Sequence, residues 1–390
     1  MINNTYRALR VAIVHEWLTS FGAEKVLEHL IGLFPEADLF AVIDFLEPES
    51  RGFLRGKKVT TSFIQKLPFA RRKYKSYLGL MPLAIEGFDL SGYDLVISSS
   101  HAVAKGVITG PHQCHICYCH TPIRYAWEMQ HQYLKEAGLT RGPGRFMARL
   151  LLHYMRMWDL RTANSVDVFV ANSSYVASRI EKTYRRTAHV IYPPVDVDRF
   201  PLNKGSRDDY YIVVSRMVPY KRIPLIVEAF SRMPSRRLKV VGTGPNLKEC
   251  QRVAAPNIEF VGFQPTDNLG RLIARAQAFV FAAEEDFGIA VVEAQACGTP
   301  VICYGKGGAT ETVIPGETGV MFYEQSVESI CDAVDRFELD RHHFHPARVR
   351  ENAERFSAER FRDEFLSLVD STWQARTPAF SGSQFVPVSR

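Results

Sequence analysis

Four carboxylates crowd the stretch AEEDFGIAVVEAQACGTPVI: Glu284, Glu285 and Asp286 stand in a row, and Glu293 follows within an apolar run. Acidic side chains at a helix start are favoured by the helix dipole, which is a structural reason for the first three. It does not reach Glu293, which falls one or two turns into a segment that is otherwise apolar and expected to be buried. A buried carboxylate needs hydrogen-bond donors. The hydroxyls of a ligand would serve. In VVSRMVPYKR, Arg216 directly follows an apolar run and Lys221 comes five residues later. Arg bonds two oxygens of a diphosphate and Lys adds a mobile point charge, although two solvated surface charges would have the same spacing.

Other strand exits carry weaker signals. Phe21-Gly22-Ala23 leads into a helix near Glu24, where Gly22 would let the backbone approach a ligand and free amides would face an anion; a plain tight turn is the alternative. VVGTGPNL has Gly-x-Gly after an apolar run but Leu247 where a dinucleotide fingerprint needs a third glycine, and no P-loop pattern occurs anywhere. Both facts count against a nicotinamide dehydrogenase and a P-loop NTPase. The glycines of YGKGGATETV could bring backbone donors to a ligand, or form a turn capped by Thr310. CHICYCH gathers Cys114, His115, Cys117, Cys119 and His120, but a strand would send 114 and 120 to the face opposite 115, 117 and 119. A tetrahedral metal site usually draws on two separated pairs, so no metal site is expected there, nor at DRHHFHP (340 to 346), which suits a polar turn between helices.

The elements that must hold these residues are short apolar runs alternating with helical patterns. LRVAIVH, YDLVISS, HICYCH, VDVFVANS and HVIYPP form a first series; YYIVVS, RLKVVG, IEFVGF, AFVFAA and PVICYG form a second. Runs apolar on both faces and rich in Val and Ile mark parallel sheets covered by helices on both sides. Two doubly wound α/β domains follow, with a seam in YPPVDVDRFPLNKGSRDD and a boundary near 195 to 207. DVD within that seam is expected to be solvated, and the tail from 377 to be loose. Residues 144 to 162 form a helix with Arg145, Arg149, Arg156 and Arg161 among apolar residues, and FARRKYKSYLGLMP sets four basic residues beside aromatics. Such basic amphipathic segments can lie on anionic membranes; a buried helix with a solvated basic edge is the alternative.

The composition bounds the function class. A chain of 390 residues suits two domains, and 46% hydrophobic with 23% charged residues is an ordinary globular balance rather than a disordered or membrane-spanning one. No apolar run approaches the roughly 18 residues that span a bilayer, and the start lacks a signal-peptide pattern, so a cytoplasmic protein is expected. Its seven cysteines, an odd number, are expected as thiols. The charge of +6 mildly favours an anionic partner such as a nucleotide, phosphate or lipid headgroup.

Taken together, Glu285, seven intervening residues and Glu293, with EAQACGTPVI after, resemble the E-x7-E signature of retaining glycosyltransferases of family 4, which have the GT-B fold. SRMVPYK is similar to that family's donor-diphosphate motif, and FGAEKV to its N-terminal glycine loop; the likeness runs from about residue 10 to 375. CYCHTPIRYAWE, EEDFGI and GKGGATETV further resemble a bacterial polysaccharide mannosyltransferase subgroup that commonly uses GDP-mannose. The resemblance implies two Rossmann-like doubly wound parallel-sheet domains facing a cleft. Residues 1–195 would bind acceptor and 196–357 the donor, with a helix over 358–375 crossing back and a tail over 376–390.

On that resemblance Arg216 and Lys221 would neutralise the donor diphosphate, Glu293 would hold the ribose and Glu285 the transferred sugar. Phe287, Gly288, Ile289 and Ala290 would complete the donor loop, Gly262 and Phe263 would contact the base, and Gly22 would allow close approach. Glu311 would lie near the donor, His120 would face the anomeric carbon, and His15 and Arg124 would lie on the acceptor side. No metal or cofactor beyond the nucleotide sugar is implied, and no nucleic acid. The acceptor implied is a glycan on a lipid diphosphate at the cytoplasmic membrane face, with peripheral contact to anionic lipid; nothing sets an oligomeric state. Rival readings are an epimerase or hydrolase of the same fold and a non-catalytic nucleotide-sugar binding protein.

Overall fold

The computed structural model describes residues 9–19, 24–139, 141–203 and 205–381. The chain forms two compact units, one of residues 1–191 with 362–390 and one of residues 192–361.

In the first unit seven parallel strands, β1 (Val11–Leu18), β2 (Asp38–Asp44), β3 (Val59–Thr61), β4 (Leu95–Ser100), β5 (Cys114–Cys119), β6 (Val168–Ala171) and β7 (Ala188–Val190), lie in the order β3-β2-β1-β4-β5-β6-β7. The strand order reverses between β1 and β4. Their pairing ends at His15 with Ser99, while β1 continues beside β2 to Leu18 opposite Asp44. His15 therefore lies inside the strand and not in its exit loop, because β2, which the apolar pattern missed, extends the ladder. The Phe21-Gly22-Ala23 turn falls outside the described residues.

In the second unit β8 (Tyr211–Val214), β9 (Leu238–Val241), β10 (Ile258–Gly262), β11 (Phe279–Phe281), β12 (Val301–Tyr304) and β13 (Gly319–Phe322) lie in the order β10-β9-β8-β11-β12-β13, again all parallel. The order reverses between β8 and β11. Alternate residues of β11 feed two cores: Phe279 and Phe281 pack with Val301, Cys303 and Phe356, whereas Val280 packs with Ile302, Val213 and Phe230. Both faces are thus buried, as parallel strands require.

The proline-rich stretch at 192–209 is built into the second unit. Val195 pairs with Ser357, Val197 and Phe200 are buried, and Arg207 donates to the carbonyls of Ala274, Ala276 and Gly298. Asp198 of DVD is exposed and pairs with Arg350 at 3.2 Å. The last helix runs Ala358–Ser381, beyond the end expected at 375, and Arg376 pairs with Asp167 at 2.6 Å. Among the described residues no helix is long and apolar enough to cross a membrane.

Candidate functional site

In the second unit the exit loops of β8 and β11 flank the point where strand order reverses, the place where open α/β sheets bind ligands. Lys221 from the first loop forms an ion pair with Glu285 from the second, both side chains being largely buried. Arg216, two residues after the end of β8, is exposed. The β8 loop is shaped by its neighbour: Ser215 N donates to Val241 O at 3.0 Å and Met217 N to Thr243 O at 2.9 Å. A Cβ at Gly242 would collide with the Ser215 carbonyl, and one at Gly244 would lie 2.5 Å from that of Met217. The Gly-x-Gly that fails as a dinucleotide fingerprint thus serves close packing of two loops, with φ of +123° and +156°.

The β11 loop is held in the same way. Gly308 N donates to Glu285 O at 2.8 Å, Gly307 pairs with Glu285 as an isolated bridge, and a Cβ at Gly308 would collide with Phe287 Cα. Thr310 does not cap the following helix; its hydroxyl donates to Gly307 O at 2.8 Å. Glu284 pairs with Lys306 at 3.1 Å. Because the helix Ile289–Ala296 begins only after Gly288 (φ +86°), the three acidic residues stand outside its first turn, and the dipole does not account for them.

Within that helix Val291, Val292, Ala294 and Gln295 are buried, while Ile289, Ala290 and Glu293 share the part-exposed face. Glu293 is therefore not fully buried as its apolar neighbours implied: its i, i+3 and i+4 partners place it on the face with the first-turn amides. Phe287, expected among the donor contacts, is 3% exposed and packs on Tyr192 and Phe356, which leaves its backbone for a ligand. Tyr192 in turn donates to Glu311 at 3.1 Å. Gly262 ends β10 with φ +76°, and the ring of Phe263 beside it is 74% exposed.

The first unit carries a polar cluster at its own reversal point. Glu16, wholly buried, accepts from the amides of His101, Ala102 and Ala104 at 2.8 to 3.0 Å and from Ser100 Oγ at 3.0 Å; His101 Nδ1 lies 2.9 Å from its other oxygen. Burial alone would raise its pKa, but His101 and these donors hold it below the usual carboxylate range. His101 is correspondingly raised: burial lowers it and Glu16 outweighs that. His15 Nδ1 lies 3.1 Å from Ser99 O, and His120 Nε2 lies 2.9 Å from Ser99 Oγ. Burial pushes His15 down to about 4, against the pull of Glu16. Burial pushes His120 down to about 3, with His101 and His15 adding to the effect. His120 is thus a neutral imidazole near pH 7. Glu16, Ser99 and His101 were not anticipated as site residues, although the polar runs HEW and SSSH at strand ends were the available signal.

Arg124, four residues after His120, lines a cavity of about 530 Å³ within the first unit. His115 is wholly buried and bonds Ser98 Oγ at 2.8 Å, and its strand mates Cys114, Cys117 and Cys119 are buried as well.

Comparison with known proteins bears directly on this arrangement. Residues 22–199 match the sequence family described as Glycosyltransferase Family 4, and residues 195–356 match Glycosyl transferases group 1. By these two matches, which together span residues 22–356, the chain belongs to glycosyltransferase family 4. It is 32% identical over 204 residues to a GDP-mannose-dependent alpha-(1-6)-phosphatidylinositol monomannoside mannosyltransferase of Mycolicibacterium smegmatis, covering 45% of this chain and 53% of that protein. It is 26% identical over 273 residues to the human GDP-Man:Man(3)GlcNAc(2)-PP-Dol alpha-1,2-mannosyltransferase, covering 61% of this chain and 55% of that one. The chain spans about half the length of the curated relatives it matches. Among solved structures it resembles sucrose-phosphate synthase from Thermosynechococcus elongatus, with a TM-score of 0.72, 18% identity and coverage of 94% and 100% of the two chains. HepE of Anabaena in complex with UDP gives a TM-score of 0.67 at 17% identity, with 93% and 100% covered. These likenesses establish the GT-B fold for this family 4 member.

Proposed function

We propose that this family 4 glycosyltransferase transfers mannose from GDP-mannose, with retention, to a glycan carried on a lipid diphosphate, in the building of a bacterial surface polysaccharide. The observation that carries the reading is the meeting of Lys221 and Glu285 at the reversal point of the second sheet, within the family's donor motifs. The names of its mannosyltransferase relatives, which print GDP-mannose as donor and lipid-linked acceptors, support the choice of sugar and acceptor.

In this mechanism Arg216, Lys221 and the first-turn amides of Ile289–Ala296 take the charge of the departing diphosphate. No metal or further cofactor is called on. Glu285 accepts hydrogen bonds from the sugar, Glu293 from the ribose, and the ring of Phe263 packs on the base. The bond from the anomeric carbon to the diphosphate oxygen breaks as the acceptor oxygen bonds on the same face, and the acceptor proton passes to that diphosphate oxygen. His120, held neutral by desolvation, would carry no charge to repel a cationic sugar. Lys221 must exchange Glu285 for the diphosphate, which frees the carboxylate for the sugar. We place the reaction at the inner face of the cytoplasmic membrane, where a basic, apolar surface of the first unit would meet anionic lipid.

A thermal-shift panel tests the donor. GDP-mannose is expected to raise the melting temperature by linkage, and a response confined to UDP-sugars would overturn the choice. Release of free or isomerised sugar with no acceptor product would favour a hydrolase or epimerase instead.

A further inference from the structure

The cavity lined by Arg124 has no part in the donor chemistry, yet its lining is strongly cationic. Arg124, Arg156, Arg179 and Lys182 line it against the single carboxylate of Glu128, with Trp127 as an apolar wall. Four cations against one anion leave a surplus of three positive charges.

The arginines are positioned, not loose. Arg156 donates through Nη1 to Ala126 O at 2.8 Å and to Gln130 Oε1 at 2.5 Å. Arg179 is held by Glu128 at 2.8 Å and Tyr175 OH at 3.0 Å. Arg179 Nη1 also donates to Thr121 Oγ1 at 3.3 Å, so both arginines are fixed in orientation, and the planar fork of a guanidinium matches phosphate oxygens. Beneath them a buried network fixes the wall: Lys105 Nζ lies 2.5 Å from Asp159 Oδ1, and Trp127 Nε1 donates to Asp159 Oδ2 at 2.7 Å.

Arg156 belongs to the helix Gly142–Ala163, whose buried side carries Leu152, Met155 and Trp158. Its opposite side exposes Phe146, Met147, Leu150, Tyr154, Met157 and Leu160. At 100° per residue these six span one stripe, while Arg145, Arg149 and Arg156 run along its edge, so that Arg156 stands between the cavity and the stripe. A charged recess bordered by exposed apolar surface suits a ligand with a polyanionic head and an apolar chain.

We infer that this cavity binds the diphosphate of a prenyl-diphosphate-linked acceptor, with the exposed stripe of Gly142–Ala163 receiving the first part of its chain. The inference rests on the proposed acceptor class and adds its binding site. The test uses the full chain, with farnesyl diphosphate below its micelle concentration, inorganic pyrophosphate, and phosphatidylglycerol vesicles as probes in equilibrium titrations. Arg124→Gln combined with Lys182→Gln is expected to weaken farnesyl diphosphate at least 10-fold while the GDP-mannose thermal shift keeps its wild-type size. Lys221→Ala should leave farnesyl diphosphate binding intact, and Leu160→Asp should reduce it towards that of pyrophosphate. Wild-type affinity in the double variant would overturn the site. Equal affinity for pyrophosphate and farnesyl diphosphate would overturn the lipid assignment in favour of a free diphosphate, and loss of vesicle binding alone would reassign the cavity to a lipid headgroup. Failure of GDP-mannose to shift the wild type, with cavity binding intact, would sink the donor reading and leave this site standing.

Discussion

Lys221 and Glu285 neutralise each other in the second unit, so under the proposed function a donor diphosphate would compete with a carboxylate for the same ammonium. Glu285→Gln removes the competitor and keeps the shape; turnover is expected to fall about 100-fold or more while the dissociation constant for GDP-mannose stays level or tightens. Lys221→Ala removes a charge-assisted contact and should weaken donor binding about 10- to 100-fold. Steady-state kinetics with calorimetric titration checks both. In the first unit the titrating groups are histidines: burial depresses His15 and His115 to about 4 and His120 to about 3. The unfolded chain then binds their protons more readily than the folded one. Stability is therefore unaffected by them above pH 6.5 and falls as pH drops from 6.5 towards 4, at up to ~1.4 kcal/mol per pH unit for each histidine. Raised His101 acts oppositely; its contribution is complete below pH 6.5 and is lost as pH rises through its folded pKa. Depressed Glu16 contributes above the carboxylate range and loses that contribution only in stronger acid. Calorimetry should show a melting temperature that declines from pH 6.5 to 4, and a flat profile would contradict the buried neutral histidines. The family resemblance singles out His15 and His120, whereas the cage around Glu16 is made largely by three backbone amides, which have no sequence signature.

At the scale of elements, two loops and one helix are held by features with little tolerance. Gly308 lies against the backbone of Phe287, so Gly308→Ala must displace the β11 loop that carries Glu285. Donor turnover is expected to drop while the rest of the fold melts cooperatively, a split that activity and calorimetry together would register. The helix Gly142–Ala163 is pinned by the buried pair of Lys105 and Asp159, both at most 1% exposed. Asp159→Ala leaves an uncompensated ammonium and is expected to cost about 3–5 kcal/mol, measured by denaturant unfolding. Most strands were legible from runs of Val and Ile, and the helix at 144 to 162 from its arginine and apolar spacing. The short strands β3 and β13 were not, because brief ladders owe their existence to a neighbour's hydrogen bonds more than to their own pattern; the seven-residue β2 was missed although its run LFAVI is apolar. The loose tail expected from 377 is helix as far as Ser381.

At the scale of the whole molecule, the proposed membrane contact rests on its exposed surface. Beside the stripe on Gly142–Ala163, the first unit exposes Phe69, Leu80 and Leu83 near Arg71, Arg72, Lys73 and Lys75. Apolar side chains among cations favour an anionic bilayer surface. Phe146→Ser with Met147→Ser is expected to reduce phosphatidylglycerol vesicle binding about 10-fold or more, with melting unchanged because neither residue is buried; unaltered co-sedimentation would refute the surface. By itself the sequence determined the class of sheet, the motifs that hold Arg216, Lys221, Glu285 and Glu293, and the family they resemble, because periodicity and motif spacing are local. Only the tertiary structure decided that Lys221 meets Glu285, that His15, Glu16, Ser99 and His101 share one cluster, and that Arg124, Arg156 and Arg179 line one cavity. The physical reason is strand order: which loops meet is set where β1 abuts β4 and β8 abuts β11, and a pairing between distant strands leaves no mark in the spacing of either.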